Sequence, residues 1–435
     1  MLLGRAGYAI YRNGAARKFP VPASADIASS VLANYAEQLW RHFRKLDSGN
    51  ETSHAFTAPN AFYGAPTFDV ASDVPHAVSD VDVDVDVDVD VDVDVDAVAY
   101  ALFGLNDADR ASIENASMPS DDEDDREEAA EESLDKGGRL AQVLTWAIGV
   151  SFGRFDWRLA TGECEALPEP DPFDPLPAKS PGMLSDGAEA FHAHPGILVD
   201  DQGHPHDLVP LIEEVLSRVG VAVPEDVRHW LQRDFFALHL QRYSKSRRKA
   251  PIYWPLSTAS GSYTLWVYYP SLNNQMLFTA VNDFLDGPNG KLTQVSRECG
   301  ELRIKGSGRS RDEEKRYETL QTFAQELTDL RDTLLKIAPT YQPNHDDGVQ
   351  ITAAPLWQLF RHKPWQKVLK DTWTKLEKGD YDWAHLAMTY WPDRVREKCK
   401  NDKSLAIAHE LEYLYVEPEA APKKTRGKKK AGGEE

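Results

Sequence analysis

The sequence has few cysteines and no long hydrophobic run, and both absences narrow its class. Only three cysteines occur among 435 residues. They never form a Cys-x-x-Cys pair, so the sequence offers neither a disulfide framework nor a local zinc knuckle. No stretch reaches the roughly 18 uncharged apolar residues that a membrane-spanning helix needs, and the first residues lack the apolar core of a secretory signal. These features predict a cytoplasmic protein without a membrane partner.

The chain also lacks an excess of basic residues. It has an excess of acidic residues instead, and that excess is confined to one segment. The chain has 70 acidic and 49 basic residues and a formal net charge of −21. Residues 51–140 hold 25 of the acidic residues and only 4 of the basic ones, and the rest of the chain holds 45 of each. Because a neutral remainder can still present basic patches, the net charge does not exclude a nucleic-acid partner.

The acidic excess lies mainly in a low-complexity insert over residues 80–132. Asp80–Asp96 alternates aspartate with valine without a break. Aspartate is a poor strand former and carboxylates along one face repel each other, so we predict a disordered surface insert. A calcium-binding repeat is the alternative, but the alternation lacks the glycines that let such loops turn. The second acidic run, residues 121–132, is interpreted as a solvated linker or helix start, with DNA mimicry as the alternative.

Apolar spacing elsewhere predicts an α+β fold that is mainly helical, with helical regions around a small aromatic-rich sheet and with a disordered acidic insert and basic tail. The predicted helices are residues 26–46, 140–152, 208–219, 311–337 and 381–390, with a further helix that starts near Pro224. The predicted strands are Ile197–Val199, the alternating run SYTLWVYY at residues 262–269, and Val349–Ala353. Residues 163–184 contain six prolines and are predicted to be an extended connector.

The longest predicted helix, residues 311–337, has an apolar seam and ends before Pro339. The seam residues recur at alternating spacings of three and four and are Leu320, Phe323, Leu327, Leu330, Leu334 and Ile337. Such a seam is typical of coiled-coil packing, either inside the chain or against a partner. An intramolecular helical hairpin is favoured, because the repeat covers fewer than three heptads.

The stretch from Phe235 to Asn282 is the most informative for function, because it has no Asp or Glu in 48 residues. Five cations lie within eight residues at the predicted end of a helix, before Pro251, and they are Arg242, Lys245, Arg247, Arg248 and Lys249. The helix dipole favours cations at a helix C-terminus, but five exceed what a cap needs. A cluster this dense repels itself unless anions neutralise it. We therefore predict that these side chains contact DNA phosphates.

Aromatic residues follow the cations directly. Tyr253 and Trp254 are expected to pack beside or against the DNA, since aromatic faces can stack on exposed bases. Trp266 and Tyr268 lie in the alternating run and are interpreted instead as the core of the small sheet.

Histidines and paired carboxylates are weaker candidates for chemistry. His385 and His409 could each act as a general base, but neither has a partner at triad or metal spacing, so a packed or surface role is favoured. Asp346-Asp347-Gly348 is interpreted as a turn before a strand rather than as a metal site. Zinc is the alternative for two His-x-His pairs whose glycine and proline neighbours favour loops, His192/His194 and His204/His206.

Three long stretches of the sequence resemble adenine-specific DNA methyltransferases of bacterial phage-defence systems. They are KSRRKAPIYWPLSTASGSYTLWVYY (residues 245–269), DDGVQITAAPLWQLF (346–360) and YDWAHLAMTYWPDRVREKCKNDKSLAIAHELE (381–412). The likeness is to the C-terminal part of the BREX-type, PglX-like enzymes, with type IIG restriction-modification enzymes as relatives. It covers roughly residues 139–416.

The resemblance implies transfer of a methyl group from S-adenosylmethionine to N6 of an adenine that is flipped out of the duplex. The family's catalytic domain lies N-terminal to the matched part, and its two characteristic loops are missing from this chain. No Pro-Pro dipeptide occurs, which excludes the Asn/Asp-Pro-Pro-Tyr/Phe loop, and the only Gly-x-Gly, at Gly306, lies in a polar basic linker. We therefore assign no catalytic, cofactor-binding or metal residue, and we expect a fragment, a split-gene product or a degenerate copy that is inactive alone.

The resemblance and the composition together predict five segments. They are a helical spacer with the acidic insert (1–138), an apolar helix with a proline-rich connector (139–208), a basic and aromatic DNA-recognition region with the long helix 311–338 (209–340), a tryptophan-rich region (341–416) and a disordered basic tail (417–435). The expected partners are double-stranded DNA, a separate methyltransferase catalytic subunit and other defence-system proteins. Two alternatives remain: a protein-interaction subunit that docks through the long helix without reading DNA, and a self-sufficient enzyme that uses an unrecognised site.

Overall fold

The computed structural model describes Arg44 and residues 47–62, 138–167, 175, 177–245 and 248–417, with only the backbone of Ala61, Lys245 and Arg248. The acidic insert, the basic tail and most of the predicted helix 26–46 lie outside the described residues.

Helices make up most of the described chain, which confirms the predicted mainly helical α+β class. The α-helices are α1 (Gly138–Ser151), α2 (Arg158–Thr161), α3 (Leu208–Arg218), α4 (Val227–Arg233), α5 (Phe235–Arg242), α6 (Met276–Thr279), α7 (Lys291–Lys305), α8 (Arg311–Ile337), α9 (Val349–Ala353), α10 (Lys363–Lys378), α11 (His385–Tyr390), α12 (Pro392–Cys399) and α13 (Lys403–Ala408). The strands are β1 (Ile197–Asp200), β2 (Ser244–Lys245), β3 (Arg248–Lys249), β4 (Tyr253–Ser257) and β5 (Thr264–Tyr268). None of the described helices is both long enough and apolar enough to cross a bilayer.

The described residues form two compact units. The first holds the described residues up to Ala193 together with Pro210–Glu225, and the second holds His194–Val209 and the described residues from Asp226 onward. Both the predicted DNA-binding residues and the tryptophan-rich region lie in the second unit.

The first unit is built on α1, whose sequence is apolar on almost every side. The helix is buried from Val143 to Ser151, as its composition predicts. Aromatic rings pack around it: Phe56 lies 4.8 Å from Phe155 and Phe62 lies 4.9 Å from Trp146, measured between ring centroids. An all-apolar helix must be enclosed, because each exposed apolar face would contact water.

The second unit contains a three-stranded antiparallel sheet in the order β1-β5-β4. Leu198 is opposite Trp266 across one pair of strands, and Trp254 is opposite Val267 across the other. The four residues of β1 are all buried, and so are the five of β4. A sheet buried on both faces has to be rich in apolar and aromatic side chains, which explains the dense aromatic run in the sequence.

Each face of this sheet packs against a different helical segment. Phe235 of α5 covers one face, with its ring 6.1 Å from Tyr253 and 5.2 Å from Trp266. Trp254 contacts the opposite side, where its ring lies 6.2 Å from Phe360. Alternate residues of a strand point to opposite faces, so the neighbours Tyr253 and Trp254 belong to two separate parts of the core.

A buried ionic cluster stabilises the end of β1. Arg228 of α4 forms ion pairs with Asp200 and with Asp207, and its Nη2 atom lies 2.7 Å from Asp207 Oδ2. Gln232 also donates to Asp200, at 2.6 Å. Burial raises the pKa of Asp207 above its usual value, although the charge and hydrogen bond of Arg228 oppose the rise. Both aspartates therefore depend on this one guanidinium for a partner of opposite charge.

The long helix α8 forms an intramolecular hairpin with α7, as favoured from its short seam. Its N-terminus has a capping box, in which Ser310 Oγ accepts from the Glu313 backbone N–H and Glu313 accepts from the Ser310 N–H. Only the central seam residues Leu327, Leu330 and Leu334 are buried. Part of the seam is therefore covered by this chain's own residues, while Leu320, Phe323 and Ile337 are only partly buried.

Truncation of the seam tests the hairpin. We expect Leu327→Ala to lower the free energy of unfolding by about 3 kcal/mol, because it leaves a cavity in a closed core. Leu320→Ala on the same helix is the matched control, since Leu320 is only partly buried, and it should lower that free energy by less than about 1 kcal/mol. Urea unfolding followed by circular dichroism measures both. Equal losses at the two positions would contradict the hairpin packing.

The tryptophan-rich region differs from the sequence prediction at Val349–Ala353, which is the helix α9 and not a strand. Asp346-Asp347-Gly348 does form a turn, and Gly348 adopts a φ of 78°, a left-handed value that favours glycine. Thr352 Oγ1 donates to the Gly348 carbonyl 2.8 Å away, one helical turn earlier. Ile351, Thr352 and Ala353 are buried in succession. Burial in the surrounding core has overridden the strand preference of the β-branched residues Ile351 and Thr352.

Candidate nucleic-acid interface

Three cations of the basic cluster, Lys245, Arg248 and Lys249, lie on a two-stranded β-ribbon. Strands β2 and β3 pair antiparallel, with Ser244 opposite Lys249 and Lys245 opposite Arg248. A further backbone hydrogen bond of 2.8 Å joins Ala250 to Tyr243 at the base of the ribbon. The helix before it ends at Arg242. The prediction that the five cations sit at a helix end is therefore wrong for Lys245, Arg248 and Lys249, which lie in β2 and β3, while Arg247 lies outside the described residues.

A buried histidine of α5 holds the base of the ribbon. His239 is fully buried, and its Nε2 atom accepts hydrogen bonds from the backbone N–H groups of Ile252 at 2.9 Å and Tyr253 at 3.2 Å. Ser244 Oγ donates to the Leu240 carbonyl. Hydrogen bonds with α5 thus join the ribbon strand β2 and the start of the sheet strand β4, and they fix the position of the ribbon in the second unit.

The five predicted phosphate-contacting residues are described to different extents. Arg242 and Lys249 are half-buried. The side chains of Lys245 and Arg248 lie outside the described residues, and so does the whole of Arg247. No carboxylate of the described chain forms an ion pair with Lys249.

Tyr253 and Trp254 are placed in the core, which corrects the expectation that they pack against DNA. Their exposed fractions are 1% and 0%. The Tyr253 ring stacks on Tyr268 at 5.4 Å, and the Trp254 indole donates to the Pro251 carbonyl at 2.8 Å. The reason is the register of β4, in which every residue is enclosed on one face or the other. Trp266 is also buried, which agrees with its interpretation as sheet core.

The structure adds lysines of α10 to this surface that the sequence analysis missed. Lys363, Lys367 and Lys370 are exposed and lie on one face of the helix, at spacings of four and three. Lys363 donates to Gln366 at 3.2 Å, and Lys370 lies over the Trp357 ring at 5.1 Å. No carboxylate of the described ranges pairs with any of these three lysines. Their spacing is visible in the sequence and could have been found there.

His362 connects the ribbon with the start of α10. Its Nδ1 atom accepts from the Trp365 backbone N–H and so caps the helix, and its ring lies 5.6 Å from Phe236 of α5. Burial lowers the pKa of His362, and the positive charge of Lys249 lowers it further. The Lys249 ammonium is therefore close to the N-terminus of α10, and the ribbon and the first turns of α10 form one basic surface.

Lysines at this end of a helix do not serve the stability of the helix. The N-terminus of a helix carries the positive end of its dipole, which disfavours cations in the first turn. Lys363 is nevertheless the first residue of α10, and Lys249 adds a second charge nearby. A surface on which like charges repel each other and the helix dipole is suited to a polyanion.

The histidine pairs considered for zinc have other contacts. The rings of His204 and His206 pack on Phe284 at 5.3 and 5.7 Å, and burial lowers the pKa of both histidines. His194 Nδ1 accepts from the Gly196 backbone N–H at 2.9 Å. Within the described ranges, no three His, Cys, Asp or Glu residues come together as a group that could hold a metal ion.

His385 does have a carboxylate partner, which the sequence analysis missed. Its Nδ1 atom lies 3.0 Å from Oδ1 of Asp347, a residue 38 positions earlier in the chain. The His409 ring lies 6.0 Å from the His385 ring, measured between centroids. No signal of local spacing could reveal this pairing, because it depends on how α11 packs beside the Asp347 turn.

Comparison with known proteins adds no relative. No protein-family model matches the chain, and no curated protein matches its sequence. The resemblance to DNA methyltransferases therefore depends on the three quoted stretches, and the function is argued from the surface itself.

Proposed function

We propose that this chain is a DNA-binding, target-recognition part of an adenine-specific (N6) DNA methyltransferase of a phage-defence or restriction-modification system. The observation that carries the DNA-binding half of this proposal is the basic surface formed by the β2–β3 ribbon and the first turns of α10. The methyltransferase half depends on the resemblance of residues 245–269, 346–360 and 381–412.

The charge balance of the surface supports a polyanionic partner. The cations of the ribbon are followed by 33 residues, from Ala250 to Asn282, without an Asp or Glu. This stretch of the sequence supplies no carboxylate of its own, whereas a DNA backbone would supply one phosphate per nucleotide along each strand.

The shape of the ribbon supports contact with a duplex. Strands β2 and β3 pair antiparallel, and the major groove of B-DNA admits a two-stranded ribbon. Lys249 and the α10 lysines would contact phosphates. Arginine reads guanine by two parallel hydrogen bonds, whereas phosphate contacts set position and orientation.

The proposal assigns methyl transfer to another segment or subunit. S-adenosylmethionine would bind there, and this chain would position the duplex for the flipped adenine. The residues of this chain then have no role in the chemical step.

Charge-neutralising variants test the DNA-binding proposal. We expect Arg248→Gln/Lys249→Gln and Lys363→Gln/Lys367→Gln each to weaken binding to a mixed-sequence duplex by about tenfold at moderate salt. For every phosphate that a variant no longer neutralises, the slope of log affinity against log salt should also become shallower by about 1. Fluorescence anisotropy with a labelled duplex over a salt series measures both quantities.

The matched control neutralises two exposed lysines on other surfaces, Lys336→Gln/Lys403→Gln. It removes the same charge and should leave both the affinity and the salt slope close to those of the unmodified protein. If all three double variants bind DNA alike, the assigned surface is wrong, and the protein-interaction alternative becomes the better proposal.

That alternative has one specific observation in its favour. Tyr413, Val416 and Ile407 are large apolar residues with exposed fractions of 80%, 67% and 52%. They lie in or beside α13 and the turn that follows it. An exposed apolar group of this kind is a candidate docking surface for another protein. These residues are more exposed than the seam of α8, whose residues Leu327, Leu330 and Leu334 are buried.

A further inference from the structure

A cleft of about 680 Å³ opens in the second unit, beside α11 and α12. Small-molecule sites commonly have volumes of roughly 300–1,000 Å³. Its wall includes the side chains of His385, His409 and Arg396, with Glu410 as an acidic neighbour and Asn344 as a polar one. None of these residues belongs to the basic surface assigned to DNA.

His385 is held in one orientation by a buried carboxylate. Asp347 accepts from His385 Nδ1 at 3.0 Å, from the His385 backbone N–H at 2.7 Å and from the Leu386 N–H at 2.8 Å. An ionised carboxylate only accepts, so the hydrogen of the neutral imidazole lies on Nδ1. The His385 side chain is 47% exposed. Nε2 is therefore the nitrogen left for a ligand or a proton.

His409 is held in a complementary way. Its Nε2 atom lies 2.6 Å from the Asp382 carbonyl oxygen, which can only accept. The hydrogen of the neutral ring therefore lies on Nε2, and Nδ1 is left over. No described residue forms a hydrogen bond with His385 Nε2 or His409 Nδ1. Two imidazoles on one cleft wall thus each have one nitrogen fixed by the protein and one without a protein partner.

The charges around these rings change with protonation of the rings. Arg396 contributes a permanent positive charge from α12 and Glu410 a negative one from the turn after α13. The Asp347 carboxylate is buried beneath His385 and already accepts three hydrogen bonds. Each imidazole that gains a proton adds a positive charge to the cleft wall, so the cleft becomes more attractive to anions in acidic solution.

We propose that this cleft binds a phosphate group, held by the guanidinium of Arg396 and by the free nitrogens of His385 and His409 once both rings are protonated. An arginine and two oriented N–H donors provide the charge and the directed hydrogen bonds that the oxygens of a phosphate group accept. The amide of Asn344 is placed to contact the remainder of a phosphate-bearing molecule. This site does not depend on the function proposed for the basic surface.

Anion titrations at two pH values test the site. Sulfate is the first probe, because it keeps two negative charges throughout the range in which imidazoles titrate, and inorganic phosphate is the second. We expect isothermal titration calorimetry to show sulfate binding at least about tenfold tighter at about pH 5.5 than at about pH 8. Nuclear magnetic resonance of the His385 and His409 ring protons in the unmodified protein should show both rings shifting with sulfate.

Three variants and one control assign the effect to the cleft. His385→Gln and His409→Gln should each remove most of the pH dependence, and Arg396→Gln should weaken binding at both pH values. His229→Gln removes an exposed imidazole from α4 and should change nothing. Equal sulfate affinity at the two pH values, or shifts absent from both rings, would overturn the proposal even if one of the variants failed to fold.

Competition against bound sulfate shows whether the phosphate group belongs to a small molecule or to DNA. Displacement by adenosine monophosphate but not by duplex DNA would identify a small-molecule ligand. If duplex DNA displaces sulfate from the unmodified protein and also from the Lys363→Gln/Lys367→Gln variant, the ligand is a DNA phosphate that reaches the cleft independently of the basic surface. Failure of both competitors and of inorganic phosphate to displace sulfate would contradict a phosphate site.

Discussion

Replacing Trp254 with alanine is expected to lower the free energy of unfolding by about 4 kcal/mol. The indole has no exposed surface, packs 5.4 Å from the Tyr269 ring and 6.2 Å from the Phe360 ring, and donates to the Pro251 carbonyl. Alanine would leave a large cavity beside the sheet and an unpaired carbonyl. Urea unfolding followed by far-ultraviolet circular dichroism measures the loss.

The control for this prediction is Trp383→Ala. Trp383 is 47% exposed, so its removal should change the free energy of unfolding by no more than about 0.5 kcal/mol. Trp254→Phe keeps most of the buried volume and separates packing from DNA contact, and we expect it to bind duplex DNA with unchanged affinity. A Trp254→Phe protein that is folded but no longer binds DNA would restore the contact role predicted from the sequence.

Replacing Arg228 with leucine is expected to lower the free energy of unfolding by about 3–5 kcal/mol near neutral pH. The guanidinium pairs with both Asp200 and Asp207, whose side chains are almost fully buried. Leucine fills part of the space but leaves two buried carboxylates without a positive partner. A surface ion pair supplies the control: Lys400→Ala removes an exposed partner of Glu397 and should have an effect below about 1 kcal/mol.

The effect of Arg228→Leu should depend on pH in a defined direction. Burial already raises the pKa of Asp207 in the folded protein, and loss of the opposing Arg228 charge raises it further. A carboxyl whose pKa is higher in the folded state than in the unfolded state destabilises the fold as pH rises through the folded pKa. The difference in the free energy of unfolding between Arg228→Leu and the unmodified protein should therefore be small at about pH 4 and largest near about pH 7. If this difference in the free energy of unfolding became smaller toward neutral pH, Arg228 would not be the charge that stabilises the buried carboxylates.

The local patterns of the sequence predicted the long elements well. The apolar run of α1 and the three-four spacing of α8 are repeated over many adjacent residues, so each predicts a helix and the side that it buries. The aromatic alternation of β5 predicted a small sheet for the same reason. The short segment Val349–Ala353 was predicted wrongly, because five residues carry too little periodicity to oppose the surrounding core.

The candidate sites were predictable only in part. The density of cations between Arg242 and Lys249 is a property of adjacent residues, and the sequence located it. The addition of Lys249 to the α10 surface requires His362 to fold against α5, and the pairing of His385 with Asp347 requires α11 to pack beside a distant turn. Contacts between residues far apart in the chain are set by packing, which a single sequence does not display.

The sequence by itself determined that this protein is mainly helical, that its acidic excess is confined to one segment and that a cluster of cations precedes an aromatic strand. These properties depend on composition and on near-neighbour spacing, which need no fold to be read. Only the tertiary structure decided that Tyr253 and Trp254 are core, that α8 pairs with α7 in a hairpin and that two histidines share a cleft. Each of these depends on which faces are brought together, and that is settled by the burial of apolar surface across the whole unit.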